Sequence, residues 1–372
     1  MEYPSPTPKP GQRAPGAFGF IRLFGVPVRF HFTFWLVAVW LIWMGYNGAQ
    51  SIAGSALYVL GLFGSVLLHE TGHALTARHY GIGTHEIVML PLGGLSRLQR
   101  QPSPAEEFWV ALSGPLVNLV IGGALLAWCY AKLGAPALNH WQNATDANIV
   151  PRLAVANLIL AFFNLLPAFP MDGGRVVRSL LAARRPLEQA TRLTARIGTA
   201  LAALIALYGL ISSSFLLIFV AFFVYAGATQ EVMATTAQAL IHGARVKEAM
   251  VTDFRTLNHG DTIRDAADLL LATSQQDFPV LSGPGVAGLL SRTALLRALA
   301  ADGPSAFVAG AMDRDFPRVA QDASLEEAAL LVGRGCALVV EGETLVGMLT
   351  AENLSEFMML RQINRQGGVR GE

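Results

Sequence analysis

His69, Glu70 and His73 stand together in "LLHETGH", after a stretch with no Asp, Glu, Lys or Arg between Arg29 and Glu70. On a helix, residues four apart share a face, so the two imidazoles can reach one ion. Glu70, beside a ligand, can reach a water on that ion. The pattern H-E-x-x-H is that of two zinc ligands and a general base. Ionisable groups inside an apolar segment are costly and mark a functional site by default. The plainer alternative is two capping histidines and an interfacial glutamate at the end of a span.

A catalytic zinc takes three protein ligands and keeps one position open. Between Glu107 and Glu188 the only carboxylates are Asp146 and Asp172. Asp146 falls in the polar loop "NHWQNATDAN". Asp172 falls in "FNLLPAFPMDGGRVV", where prolines break the helix and glycines permit close backbone approach. Irregular backbone at membrane depth is tolerated where it lines a cavity. Asp172 is the expected third ligand; the alternative is a carboxylate paired with Arg175 or Arg178.

The elements that must position these residues belong to a membrane protein with a soluble part. The chain has 372 residues, 53% hydrophobic and 14% charged, with mean hydropathy +0.44, too apolar for a soluble protein of this size. A net charge of +1 gives no electrostatic case for a nucleic-acid partner. Two cysteines exclude a disulfide scaffold and a cysteine-built zinc site. Runs near 20 apolar residues predict six transmembrane helices: Phe30–Tyr46, Ile52–Ala77, Phe108–Tyr130, Leu153–Leu181, Leu193–Ile211 and Phe215–Ala234. Residues 1–29 read as a cytosolic lead-in and 30–236 as the membrane domain. Lys9, Arg13, Arg22, Arg29, Arg78, Arg97, Arg100 and the arginines from Arg175 to Arg196 lie on one side, against Lys132 and Arg152 on the other. That asymmetry places both termini in the cytosol of a plasma-membrane protein. Residues 81–100, with Pro91, Gly93 and Gly94, read as a re-entrant hairpin after the catalytic helix. Its edge could hold an extended substrate by strand addition.

Beyond residue 240 the composition is that of a soluble domain, and it repeats. Met250, Asp253, Phe254, Ile263 and Ala266 align with Met312, Asp315, Phe316, Leu325 and Ala328 at one offset. Each unit, 244–302 and 304–361, reads as strand, helix, two strands and helix. Residues 362–372 read as a flexible tail.

HETGH in one span, N-x-x-P-x-x-P-x-D-G-G in a later one and "SGPLVN" from Ser113 between them resemble the site-2 protease family of intramembrane zinc metalloproteases. The fold this implies is an α-helical polytopic membrane domain with a small re-entrant β element. The repeat resembles an α+β tandem pair of cystathionine β-synthase-type (CBS) domains. The resemblance implies one zinc held by His69, His73 and Asp172, with Glu70 activating water against a transmembrane protein substrate. It also implies that Asn164 faces substrate, with Asn118, Gly93 and Gly94 in the substrate-binding group. CBS pairs commonly bind adenine nucleotides and associate with other pairs, implying a homo-oligomer. Ribose-binding copies usually carry an aspartate three residues after the Ser or Thr ending the last strand. Here Ser291 is followed by Ala294 and Thr350 by Asn353, leaving Thr350 and Asn353 as candidate ribose partners. A competing class is a CBS-regulated transporter or channel using the His/Asp site for a passing ion. It has no need for Glu70 beside two histidines at i and i+4.

Overall fold

The computed structural model describes residues 17–47, 50–91, 93–134, 141–283, 285–332 and 335–368. The expected lead-in and tail lie outside the described residues at 1–16 and 369–372. Two compact units divide the chain, Met1–Met233 and Ala234–Glu372.

The first unit opens with a hairpin, β1 (Ala17–Leu23) and β2 (Val26–His31), where the sequence suggested a loose lead-in. The apolar helix α1 (Phe32–Tyr46) follows, then α2 (Ile52–His79), whose N-terminus is capped by the Ser51 hydroxyl accepting from Gly54 N–H. The expected hairpin is β3 (Thr84–Leu90) and β4 (Gly93–Leu98). It joins the first hairpin in one sheet ordered β1-β2-β3-β4, with β2 and β3 parallel. Helix α3 (Pro104–Leu133) starts with proline at its first position and with Glu106 accepting from Ser103 N–H. Then come α4 (Ile149–Asn164), α5 (Asp172–Ala182), α6 (Leu187–Ile211) and α7 (Phe215–Ile241).

Among the described residues five helices are long and apolar enough to cross a bilayer: α2, α3, the stretch Asp146–Asn164, α6 and α7. The sequence predicts six, and the difference lies at α1. With 15 residues, α1 falls short of the roughly 20 that a bilayer core requires. The fourth expected span is broken where its prolines predict a break: the helix stops at Asn164 and another starts at Asp172. Between them Ala168 and Phe169 are fully buried, packed with Met171 against Ala195, Ala202, Val224 and Ala228 of α6 and α7. Non-helical backbone inside an apolar unit needs that protein cover.

The second unit is a tandem pair. The first copy has β5 (Leu257–Asn258), α8 (Ile263–Ala272), β6 (Asp277–Ser282), β7 (Gly285–Ser291) and α9 (Arg292–Ala301). The second has α10 (Val308–Ala311), β8 (Arg318–Ala320), α11 (Leu325–Val332), β9 (Ala337–Glu341), β10 (Thr344–Leu349) and α12 (Ala351–Gly368). Each copy holds a three-stranded sheet of mixed direction, β5-β6-β7 and β10-β9-β8. Helix α12 runs through residues 362–368, which the sequence suggested as loose tail. The copies also exchange their opening segments. Ala244, Val246 and Ala249 lie in the core of the second copy, and Val308 in that of the first. The same swap appears in the backbone: Leu325 N–H donates to Ala244 C=O, and Ile263 N–H to Ala306 C=O.

Candidate metal centre

His69 and His73 share the buried face of α2, and α5 brings Asp172 to them from its first turn. His69 Nε2 lies 3.1 Å from His73 Nε2 and 3.1 Å from Asp172 Oδ2, and His73 Nε2 lies 3.3 Å from that oxygen. Asp172 reaches this point because the chain folds back tightly after Asn164. A Cβ on Gly173 would stand 2.3 Å from the carbonyl oxygens of Leu165 and Leu166, and one on Gly174 2.7 Å from the Ala168 carbonyl carbon. Only glycine allows that approach. Among the described residues Asp172 forms no ion pair with Arg175 or Arg178. Arg178 instead binds Glu107 of α3 and Glu231 of α7.

The protonation pattern of the two rings follows from backbone carbonyls. His73 Nδ1 is 2.6 Å from Val110 O, which can only accept, so Nδ1 carries the proton. For His69 the argument runs through two amides. Asn157 Nδ2 donates to Leu153 O, so its Oδ1 accepts from Asn118 Nδ2, and Asn118 Oδ1 accepts from His69 Nδ1–H at 2.5 Å. Asn157 Nδ2 also donates to Ser65 Oγ, whose hydrogen goes to Gly61 O. When neutral, both imidazoles therefore turn a lone pair toward the carboxylate of Asp172. Three acceptor atoms close together in a buried place call for a cation.

Zinc fits. With zinc–nitrogen and zinc–oxygen bonds of about 2.0–2.2 Å, the edges of a tetrahedron are about 3.3–3.6 Å. The three observed separations sit at or just below that range. Among the described residues His69, His73 and Asp172 are the one group of three such ligands found together. Hydrogen bonds to the far nitrogens are what a metal-binding histidine requires to hold its tautomer and orientation.

One stripe of α3 supports the centre. Val110, Gly114 and Asn118, four residues apart, put a carbonyl on His73, a bare backbone against both rings and an amide on His69. At Gly114 a Cβ would stand 2.3 Å from His73 Nε2 and 2.7 Å from His69 Nε2. This placement corrects the expectation for Asn118. It is 1% exposed, and its amide accepts from His69 and donates to Asn157, which turns it to the metal ligands rather than to substrate. Gly114, Asn157, Ser65 and Ser96 were not singled out from sequence. Gly114 and Asn157 had a signal: Gly114 is one turn before Asn118, and Asn157 is an isolated amide in the apolar run "LAVANLIL".

Glu70 faces the sheet. Its Oε2 accepts from Ser96 Oγ at 2.8 Å, and a Cβ on Gly94 would stand 2.2 Å from its Cγ. Strand β4 thus lies directly on the glutamate. Gly93, its first residue, is open, with nothing near its would-be Cβ. Asn164 is the last residue of α4, half-buried, and its amide has no hydrogen-bond partner among the described residues. In the second unit Thr350 and Asn353 bind each other: Asn353 N–H donates to Thr350 Oγ1, and the two side-chain oxygens are 2.6 Å apart. Both serve the N-terminus of α12 in this arrangement.

Comparison with known proteins agrees with this chemistry. The model of Peptidase family M50 matches residues 57–207, and that of the CBS domain matches 246–301 and 308–360. A zinc metalloprotease of Methanocaldococcus jannaschii is 33% identical over 273 residues, covering 73% of this chain and 77% of that protein. Rip3 of Mycobacterium tuberculosis is 28% identical over 370 residues, covering 91% of each. The solved site-2 protease of M. jannaschii is 34% identical, covers 58% of this chain and 95% of its own, and superposes with a TM-score of 0.44. With three zinc-fitting ligands beside a glutamate in a multi-pass apolar unit, the chain belongs to the M50 peptidases, zinc metalloproteases of the site-2 protease family, and carries a tandem CBS pair.

Proposed function

We propose that this metalloprotease cuts a membrane-protein substrate within or near its transmembrane segment, with His69, His73 and Asp172 holding the zinc and Glu70 as the base. The observation that carries the reading is the convergence of three lone-pair donors, the two imidazoles oriented by backbone carbonyls, beside a glutamate of α2 that faces the edge strand β4. Bound zinc would polarise the scissile carbonyl and acidify water. Glu70 removes the proton of the attacking water and delivers it to the leaving amine. The Ser96 hydroxyl and the bare backbone of Gly94 fix the glutamate for that exchange.

A transmembrane helix presents hydrogen-bonded, shielded carbonyls and must be opened before it is cut. Strand β4 pairs only with β3 and has a free edge among the described residues. An unwound segment added to that edge would find partners for its backbone while passing Glu70. Gly93 leaves room for it, and the amide of Asn164, without a partner among the described residues, offers a further hydrogen-bonding group. In this reading the hairpin is re-entrant, both termini and the CBS pair lie in the cytosol, and the pair modulates activity through an adenine nucleotide and assembles the chain into oligomers.

The test is zinc per chain in detergent-purified protein together with cleavage of a membrane substrate. Wild type and Glu70→Gln should each hold about one zinc, with Glu70→Gln inactive. His73→Ala and Asp172→Ala should lose the metal. A metal-free wild type that takes up no zinc, or an Asp172→Ala variant that keeps it, would overturn the assignment.

A further inference from the structure

At the N-terminal ends of α2 and α4, away from the metal centre, a cavity of about 190 Å³ is lined by Tyr58, Trp141, Gln142, Arg152, Ala156 and Ile159. Tyr58 lies eleven residues before His69 on α2, about 16 Å along the helix axis at about 1.5 Å per residue. The cavity is graded. Arg152, Ala156 and Ile159 stand at i, i+4 and i+7, one stripe of α4 that passes from a guanidinium to apolar side chains. Tyr58 stacks at the charged end and Trp141 also lines the cavity, two amphipathic rings of the kind found at a membrane boundary.

Arg152 has no carboxylate partner among the described residues. Its guanidinium carbon lies 4.2 Å from the centroid of the Tyr58 ring, and one of its N–H groups donates to Gln50 Oε1 at 2.9 Å. The remaining donors meet no protein acceptor among the described residues. Asp146, the acid nearest in sequence, accepts from Ser51 N–H. The cation also sits in the first turn of α4, which has no acidic residue. A helix N-terminus already carries partial positive charge and disfavours a cation unless an anion is close.

We infer that this cavity holds an anionic phospholipid, its phosphate on Arg152 between the two aromatic rings and an acyl chain along Ala156 and Ile159. The shared chemistry, a phosphate oxygen on a guanidinium, would also suit free phosphate. The apolar stripe continuing from the cation favours the lipid.

The test uses the full chain, delipidated in detergent, titrated with phosphatidylglycerol or phosphatidylcholine, with bound lipid counted by native mass spectrometry. Wild type should prefer phosphatidylglycerol about tenfold or more, because the choline of phosphatidylcholine carries its own cation beside the phosphate and weakens the bond to the guanidinium. Arg152→Gln should erase that preference, and Lys132→Gln, at an exposed cation outside the cavity, should keep it. Should Arg152→Gln fail to fold, Ala156→Phe fills the groove with the cation intact and should also lose the lipid. Inorganic phosphate should not displace the lipid at millimolar concentration. Equal binding of the two lipids by wild type, retention of the preference in both cavity variants, or displacement by phosphate alone would each overturn the assignment.

Discussion

Gly114→Ala puts the metal centre to a steric test. The added Cβ would lie 2.3 Å from His73 Nε2, 2.5 Å from His73 Cε1 and 2.7 Å from His69 Nε2. Ordinary carbon contacts begin near 3.4 Å, so ring or helix must withdraw by roughly 1 Å. Neither is free to do so. His73 is tied to Val110 O, on the same helix one turn before Gly114, so a shift of α3 drags the ring with it. His69 is tied through Asn118 one turn after. Metal–ligand distances tolerate only about 0.2 Å. We expect zinc affinity to fall about 100-fold or more, and cleavage to fall with it. The fold should survive, because alanine is a better helix former than glycine by about 1 kcal/mol. Gly123→Ala, on the same helix with nothing within 4 Å, is the control and should keep full affinity. Zinc competition against a chelator of known affinity reads the first effect, and thermal unfolding the second. A Gly114→Ala protein that binds zinc within about threefold of wild type would refute the packing argument.

Asn157→Ala removes the amide that orients Asn118, and should weaken zinc binding about 10–100-fold in the same competition assay while Glu70→Gln leaves it unchanged. Gly94→Ala pushes on Glu70 rather than on a ligand, so cleavage should drop about 100-fold with zinc retained, separating base from metal in a kinetic and metal-content measurement. Arg178→Met leaves Glu107 and Glu231 without their shared cation, and should cost about 3 kcal/mol in thermal or denaturant unfolding. Burial and the nearby charge of Asp277 push the Cys336 thiol up to about 12. The folded protein holds that proton more tightly than the unfolded chain, so this contribution to stability is full below the ordinary thiol range and is lost as pH rises toward 12. In a Cys129→Ala background, maleimide should leave Cys336 unmodified at pH 9 until the fold is opened by denaturant.

What could be read from the sequence was what short spacing encodes. HETGH needs one helical turn, the β3–β4 hairpin needs one local reversal, and the repeat shows itself by alignment. Features set by chain segments far apart were not legible. Strand β2 pairs parallel with β3 across the whole of α1 and α2, so the hairpin before Phe32 looked like a loose lead-in. Hydropathy alone does not divide the segment from Leu153 to Leu181, but its prolines marked the break; what they did not show is that the residues between the two helices are buried under α6 and α7. The exchanged opening segments of the CBS pair were hidden for a related reason. Repeat boundaries mark similarity, whereas Val246 and Val308 belong to cores made by the other copy. Asn118 was misplaced because a motif identifies a residue without saying what it touches. Its partner, Asn157, lies on another helix.

Helix α4 shows why the ligand orientation is set from outside the motif. In an apolar unit no water replaces a lost partner, so each N–H near the centre must find a fixed acceptor. For His69 that chain of donors ends on the carbonyl of Leu153, one helical turn before Asn157. The Leu153–Asn157 face of α4 therefore turns toward α2 and α3, and sets which nitrogen of His69 is free. The Arg152, Ala156 and Ile159 stripe lines the cavity between α4 and α2. One helix thus carries the anchor of the metal centre on one side and, on another, a cation with no carboxylate partner among the described residues. A displacement of α4 would alter both, since Leu153 directly follows Arg152. The side chains that would hold zinc come from α2 and α5, but the tautomer that frees His69 Nε2 is dictated by the backbone of α4.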